Sequence, residues 1–236
     1  NRLQYLEVND LFIDGENRVW IAEGNASVRA LQVVKMDDPQ DAEFARWATF
    51  AIPRTGYPPA ALRSVVAAGS KVWLGSTSGI AELDFGASPF DATPFDDGGD
   101  TWSILSTATS GLPENNVRDL LLDAQGNLWA ALATQGVGVR QANGTWHHFT
   151  QADGLVLASV QALATNAAGD VWMGTTGAGI GVLDYGGTLG DKSDDTWTTY
   201  ASGVALPSGN IRSLAVDRWG QYWVGSFGAG ASLKSD

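Results

Sequence analysis

The sequence predicts an all-β protein built from repeated four-stranded antiparallel sheets, and three observations support this. One tryptophan recurs in a common apolar context, at Trp20, Trp73, Trp129, Trp172 and Trp223, with steps of 53, 56, 43 and 51 residues. A polar turn, usually containing Gly or Asn, precedes each tryptophan, and the residues that flank it favour strands. A period of about 40–50 residues with β-type content is typical of a β-propeller, in which each repeat is one blade.

Each repeat contains four segments in the same order. An apolar pair opens it, as in Val117 and Leu120, a polar turn follows, and the tryptophan strand comes next. A second turn leads to an alternating third strand, and four repeats end in an aromatic-marked strand, at 47–50, 102–105, 146–149 and 197–200. One such sheet cannot bury both of its faces, so neighbouring sheets must stack. We therefore expect all five repeated tryptophans to fill the wedges between blades.

The repeat predicts a single domain, residues 1–236, with blades beginning near residues 8, 62, 117, 160 and 211. The fifth repeat stops after its third strand, and residues 1–7 form an alternating segment outside the first repeat. We expect residues 1–7 to supply the outer strand of the last blade and to close a ring of five blades, because closure removes an open strand edge. The alternative is that the chain is a fragment of a six- to eight-bladed propeller.

Composition excludes several classes of function. The formal net charge is −12, which disfavours nucleic-acid binding because that function generally requires a basic face. The sequence contains no cysteine, so disulfides and thiolate chemistry are excluded. It has no run of about 18 apolar residues, and we predict no membrane insertion.

Two stretches of the sequence carry a resemblance to a known family. Residues 110–129 combine a Gly-Leu-Pro lead-in with an Asp-x-x-Gly turn before the tryptophan, and residues 205–225 repeat this pattern more loosely. These motifs resemble the two-component regulator propeller repeat, which covers all five units in some form. The resemblance implies a bacterial sensor-type β-propeller, commonly an extracellular or periplasmic domain associated with carbohydrate sensing.

The residue after the opening apolar position is polar in every repeat. These candidate ligand-binding residues are Asn9, Arg63, Arg118, Gln161 and Arg212. Inner strands of a propeller begin near the mouth of the central channel, so the five side chains are expected to converge on a carbohydrate or an anionic small molecule, which the planar fork of Arg suits. The alternative is that each Arg pairs with a nearby carboxylate, Asp10 or Asp119. Trp219 is a further candidate contact residue, because its counterparts in the other turns are not aromatic.

The sequence gives little indication of catalysis. His147 and His148 are the only histidines, and adjacent residues of a strand point to opposite faces. We find no Gly-x-Ser-x-Gly motif and no metal-ligand cluster, and we predict no cofactor. A loop containing Asp96, Asp97 and Asp100 resembles an Asp-box turn, and calcium binding there is an alternative.

The sequence therefore favours a non-catalytic module that binds or senses a ligand. A scaffold for a protein partner is the alternative, and a propeller hydrolase or lyase is the least favoured hypothesis. The oligomeric state is left open.

Overall fold

The computed structural model describes residues 7–24, 29–36, 45–51, 61–90, 100–203 and 205–234. Within these ranges the chain forms β-strands and one short 3-10 turn, Gln151–Asp153. Consecutive strands pair into five sheets. The chain is an all-β protein with the five antiparallel blades of a β-propeller, as the sequence predicts. Over the same ranges, no helix has the length and hydrophobicity that crossing a bilayer requires.

The chain divides into two compact units, Asn1–Val117 and Arg118–Asp236. The first unit contains blades 1 and 2. Blade 1 consists of β1 Val8–Ile13, β2 Arg18–Gly24, β3 Arg29–Met36 and β4 Ala45–Ala51. Blade 2 consists of β5 Leu62–Ala68, β6 Lys71–Ser76, β7 Gly79–Asp84 and β8 Thr101–Leu105. The blade starts at 8 and 62 agree with the repeat.

The second unit contains blades 3, 4 and 5, with the first residue of blade 3 at the unit boundary. Blade 3 consists of β9 Val117–Leu122, β10 Leu128–Leu132, β11 Val137–Arg140 and β12 Trp146–Phe149. Blade 4 consists of β13 Val160–Thr165, β14 Val171–Thr175, β15 Ile180–Asp184 and β16 Thr196–Tyr200. Blade 5 has three described strands, β17 Ile211–Val216, β18 Tyr222–Ser226 and β19 Gly230–Lys234. That the two units form one domain stays a prediction.

An aspartate in the turn holds the first hairpin of blade 3. Oδ1 of Asp123 accepts hydrogen bonds from the backbone N–H groups of Gln125 (3.0 Å) and Asn127 (2.8 Å). Oδ2 accepts from Nε1 of Trp129 at 2.8 Å. One carboxylate thus shapes the turn and fixes the indole of the following strand. The indole contact recurs in blades 1 and 5, as Trp20–Asp14 at 2.8 Å and Trp223–Asp217 at 3.1 Å.

Blade 2 satisfies its tryptophan differently, because Ala68 stands where blades 1, 3 and 5 have the turn aspartate. Nε1 of Trp73 donates a hydrogen bond to Oε2 of Glu82 at 2.7 Å. Glu82 lies directly opposite Trp73, on β7. Glu82 also forms an ion pair with Lys71 at 2.9 Å. A buried donor without an acceptor lowers the stability of the fold by about 1–3 kcal/mol. The Glu82 carboxylate therefore replaces the turn carboxylate that blade 2 lacks.

Within each unit, the interfaces between neighbouring blades are apolar and contain the repeated tryptophan. In three cases the indole contacts an aromatic ring of the following blade. The centroid distances are 5.5 Å for Trp20–Phe85, 5.6 Å for Trp129–Tyr185 and 3.5 Å for Trp172–Tyr222. All three tryptophans are buried. The predicted role of the repeated tryptophan as a wedge between blades is confirmed at these positions.

Trp223 of blade 5 departs from the pattern. Its side chain is 47% exposed, whereas the other four repeated tryptophans are at most 9% exposed. The prediction that all five fill wedges between blades is therefore wrong for Trp223. The physical reason is that burial of such an indole depends on a cover from the following blade, as Tyr222 of blade 5 covers Trp172, and Trp223 lacks such a cover among the described residues.

The outer edge of blade 5 also differs from that of the other blades. Gly179, before the third strand of blade 4, has a φ of 90°, and a Cβ there would lie 2.1 Å from the carbonyl oxygen of Tyr200. Gly230 occupies the same place in blade 5 with a φ of 74°, and nothing lies within 4 Å of its Cβ position. Among the described residues, β19 thus has no outer neighbour.

The predicted closing strand falls almost entirely outside the described residues, since residues 1–6 are not among them. Glu7, the first described residue, accepts a hydrogen bond from the backbone N–H of Gly24 in blade 1, at 2.8 Å. Closure of the ring by residues 1–7 stays a prediction.

Candidate functional site

Three of the five polar residues that follow an opening position donate a hydrogen bond to the residue just before the next inner strand. In the first unit, Nη1 of Arg63 donates to Oδ1 of Asn116 at 2.9 Å. In the second unit the same contact joins Arg118 to Ser159 at 3.0 Å and Gln161 to Asn210 at 3.1 Å. The acceptor is in each case the residue just before the opening apolar position of the following blade. In the second unit, Arg118 and Gln161 therefore link successive blades.

Arg212 of blade 5 has a different environment. Its Nη1 donates a hydrogen bond to Oε1 of Gln161 in the preceding blade, blade 4, at 2.9 Å. Its guanidinium carbon lies 5.0 Å from the centroid of the Phe227 ring, in a cation–π contact. Gln161 in turn donates to Asn210, and Asn210 accepts from the backbone N–H of Phe227 at 2.8 Å. The exposed guanidinium is thus fixed by an amide on one side and an aromatic ring on the other.

Phe227 is the functional candidate that sequence reasoning missed. Its side chain is 65% exposed, in the turn between β18 and β19. A signal was present in the sequence, since the fourth residue after each repeated tryptophan is small or polar in the other blades. These residues are Gly24, Thr77, Ala133 and Thr176. An aromatic at this position therefore has no counterpart in the repeat, and an exposed aromatic beside an arginine is a feature of binding surfaces.

Asn9, in blade 1, has a local partner, because Nδ2 donates to the carbonyl oxygen of Gly24 within the same blade. The residue before the opening position of blade 2 is Ala61, whose side chain offers no acceptor. The structure therefore places Asn9 and Arg63 in the first unit, and Arg118, Gln161 and Arg212 in the second. It brings Gln161 and Arg212 into direct contact, and convergence of all five residues stays a prediction.

The carboxylates that were alternative partners for the arginines have backbone partners in the next blade. Oδ2 of Asp10 accepts from the backbone N–H of Val65, and Oδ2 of Asp119 accepts from that of Leu163, both at 2.8 Å. Burial raises the pKa of Asp10 above its ordinary value, and the hydrogen bonds from Val65 and Leu11 oppose that shift. These two aspartates join neighbouring inner strands.

Trp219 lies at the other end of β17 from Arg212, in the turn that follows the strand. Its side chain is 71% exposed, and the guanidinium carbon of Arg218 lies 4.1 Å from its ring centroid. A strand rises about 3.3 Å per residue, so the length of β17 separates Trp219 from Arg212. The structure does not bring Trp219 together with the row of polar residues.

The histidines are bonded within blade 3. Nε2 of His147 lies 3.1 Å from Oε1 of Gln141, and Nε2 of His148 contacts the carbonyl oxygen of Gln135. In the part of the chain that the structure describes, no three acidic or histidine side chains gather as a metal site. Asp96 and Asp97 lie outside the described residues, so the alternative of calcium binding in that loop stays a prediction.

Two segments match a known family. Residues 111–133 and 205–228 match the description "two component regulator propeller". Over these two segments the chain is similar to the two-component regulator propeller repeat. The first segment contains the lead-in and inner hairpin of blade 3, and the second contains those of blade 5, including Arg212 and Phe227. No curated protein matches the chain by sequence.

Several solved structures share the propeller fold at low sequence identity. The extracellular domain of the hybrid two-component system BT3049 from B. thetaiotaomicron is 16% identical, with a TM-score of 0.51 over 98% of this chain and 39% of that one. Streptogramin B lyase is 12% identical, with a TM-score of 0.63 over 100% of this chain and 70% of that one. YCF48 bound to D1 peptide is 15% identical, with a TM-score of 0.57 over 99% of this chain and 65% of that one.

The chain spans 39% of the length of the extracellular domain of the two-component system that it resembles. The similar propellers include an extracellular domain of a two-component system and a lyase. At such low identity the likeness shows the fold alone, so the fold does not by itself distinguish a binding module from an enzyme.

Proposed function

We propose that this chain is a non-catalytic, sensor-type propeller module that binds a carbohydrate or an anionic small molecule. The observation that carries the proposal is the environment of Arg212, whose exposed guanidinium lies beside Gln161 and over the exposed ring of Phe227. Arg offers further N–H donors to a carboxylate, an amide binds hydroxyl groups, and an aromatic ring supports a sugar face. An acidic sugar combines all three requirements.

A role without catalysis is supported by the partners of the histidines. Both rings are bonded to groups of blade 3, and neither lies next to a candidate nucleophile in those contacts. Two-component regulator propeller repeats and the extracellular location of the sensor domain of similar fold support an extracellular or periplasmic location for this chain, which we include in the proposal.

The test is isothermal titration calorimetry of the protein with galacturonic acid oligomers and, separately, with neutral galactose oligomers. We expect the acidic oligomers to bind, and Arg212→Ala to weaken binding by at least about tenfold, since hydrogen bonds to charged groups contribute about 1.5–3 kcal/mol. Phe227→Ala should weaken both classes of oligomer if the ring supports a sugar face. Arg118→Ala tests whether the row extends to blade 3.

Arg46→Ala is the matched control. Arg46 also lies over an aromatic ring, with its guanidinium carbon 5.1 Å from the centroid of Phe90, but it belongs to the outer strand of blade 1. The control removes an equal charge and an equal cation–π contact. If Arg46→Ala and Arg212→Ala weaken binding equally, the effect is general electrostatics, and the proposed site is wrong. Absence of binding by all oligomers also rejects it.

A scaffold for protein contacts is the second candidate, favoured by Trp219. An indole that is 71% exposed and stacked under Arg218 is the kind of pair that anchors protein interfaces. Under this hypothesis Trp219→Ser abolishes capture of the partner protein and leaves oligosaccharide titrations unchanged.

A further inference from the structure

The side-chain amide of Gln161 has a defined orientation. Its Nε2 donates a hydrogen bond to Oδ1 of Asn210 at 3.1 Å, and its Oε1 accepts one from Nη1 of Arg212 at 2.9 Å. The oxygen and the nitrogen of an amide are similar in size, so hydrogen-bond partners define which way the amide faces. A guanidinium has donors and no acceptor. The oxygen of Gln161 is therefore the atom that faces Arg212.

Asn210, which holds the other end of this amide, is fixed by its backbone. Its carbonyl oxygen accepts a hydrogen bond from the backbone N–H of Phe227 at 2.8 Å. The carbonyl oxygen of Gly209, the residue before it, accepts one from the N–H of Gly179 in blade 4 at 2.9 Å. A Cβ on Gly209 would lie 2.2 Å from the carbonyl oxygen of Gly177, so this segment packs closely on blade 4. Asn210 is thus a rigidly placed acceptor.

A ligand group that binds Arg212 meets donors and an acceptor side by side. The guanidinium has several N–H donors, and its contact with Gln161 uses one of them. The amide oxygen has a second lone pair that this contact leaves available. Arg212 is exposed and Gln161 is half-buried. A carboxylate suits the guanidinium, whereas the amide oxygen requires an O–H donor.

We propose that this site selects a carboxylate with a hydroxyl group on a neighbouring carbon, as in a uronic acid, over an oxyanion without such a donor, as in a sulfate ester. Asn210 is the positioning residue that sets this preference. The inference rests on the proposed function and names the class of anion that its site takes. A sulfate on Arg212 would bring an oxygen towards Oε1 of Gln161, and two acceptors would then face each other without a proton.

Asn210 acts through the Gln161 amide. When an anion binds the guanidinium, it competes with Gln161 for the donors of Arg212, and the hydrogen bond to Asn210 then opposes rotation of the amide. Rotation would turn the NH₂ group of Gln161 towards the ligand and would favour a sulfate. It would also leave Oδ1 of Asn210 without this donor, which is unfavourable for a half-buried group. Asn210 therefore keeps an acceptor facing the ligand.

NMR titrations of the whole chain with two monosaccharides test the proposal. The probes are galacturonic acid and galactose with a sulfate on its primary hydroxyl group. Both carry a single negative charge at the same end of the same sugar, so general electrostatics does not distinguish them. In the sulfate ester, the sugar hydroxyl groups lie farther from the anionic group. We expect the wild-type chain to bind galacturonic acid at least about tenfold more tightly, because one hydrogen bond of the site is unmade with the sulfate.

Asn210→Leu removes the side-chain acceptor and keeps the backbone hydrogen bonds of this position. The dissociation constants of the two probes should then differ by less than about threefold, because the Gln161 amide is free to turn. Asn210→Asp is the matched control. It retains an oxygen acceptor and adds a negative charge, so both probes should bind more weakly while the preference for galacturonic acid remains. If Asn210→Leu lowers both affinities and the melting temperature but leaves the preference unchanged, the role of Asn210 is structural and the proposal is overturned.

Gln161→Leu provides an independent variant should Asn210→Leu not fold. It removes the amide oxygen itself, and the preference should fall to a similar extent. Adding Asn210→Leu to Gln161→Leu should change the preference no further, because Asn210 acts through this amide; a further change overturns the proposal. A wild-type chain that binds both probes equally overturns this inference and leaves the proposed function intact. A wild-type chain that binds neither probe rejects both.

Discussion

Replacement of Asp123 by alanine should strongly destabilise the second unit. The carboxylate accepts hydrogen bonds from two backbone N–H groups, from Nδ2 of Asn127 and from Nε1 of Trp129, all between 2.8 and 3.0 Å. Asp123 and Trp129 are buried, so water does not replace the lost acceptor, and an orphaned donor costs about 1–3 kcal/mol. Because contacts in one network are not additive, we expect the free energy of unfolding to fall by roughly 3–5 kcal/mol.

Urea unfolding, followed by tryptophan fluorescence and by circular dichroism, measures this loss. Asp217→Ala is the matched control, because Asp217 makes the same type of contact with Trp223, which is half exposed. Water can satisfy that indole, so the control should lose much less stability. If the free energy of unfolding falls equally in both variants, burial of the indole does not determine how much the turn aspartate stabilises the fold. Our reasoning about this network is then refuted.

Three other outcomes are expected. Gly179→Ala should lower the melting temperature far more than Gly230→Ala, because both glycines have positive φ but only the first faces a carbonyl oxygen; equal shifts would show that β19 has a covered edge. Burial raises the pKa of Asp14, but hydrogen bonds from neighbouring indole and guanidinium groups outweigh it and hold the pKa below 3.8. Its stabilisation is therefore complete above about pH 5 and lost as pH falls through the folded pKa, and Asp14→Asn should flatten the acid limb of an unfolding curve against pH. Tyr222→Ala should cost about 3–5 kcal/mol, as large-to-small core changes do, and should shift the emission of Trp172 to longer wavelength; an unchanged spectrum would contradict the observed stacking.

The architecture was predictable because its signal is local and repeated. Each blade contains its turn residues and its tryptophan within about 45 residues, and these predict the pairing of strands that are consecutive along the chain. The aromatic fourth strands at Trp102 and Trp146 were predicted correctly for the same reason. The exposure of Trp223 was not predictable from its own repeat, because burial of that indole depends on the blade that follows.

The candidate site was only partly predictable. The sequence identified Arg118, Gln161 and Arg212 as a set, since the repeat aligns them. It did not identify their partners, because Ser159 and Asn210 are 41 and 49 residues away along the chain and become neighbours only when blades stack. Asn116, Ser159 and Asn210, which precede the opening positions of blades 3, 4 and 5, are all polar in the sequence and would have suggested this pairing.

The contrast between Asp123 and Glu82 has a practical consequence for protein engineers who assemble consensus repeats. The acceptor for the indole N–H can be a carboxylate in the hairpin turn or a carboxylate on the adjacent strand. The repeat therefore uses two alternative solutions for the same hydrogen bond. A consensus that averaged over blades would mix them, and would install either both carboxylates or neither. With both carboxylates, two anions would lie beside one indole, and with neither, the indole N–H would have no acceptor. Blades of this kind should therefore be transferred as whole units.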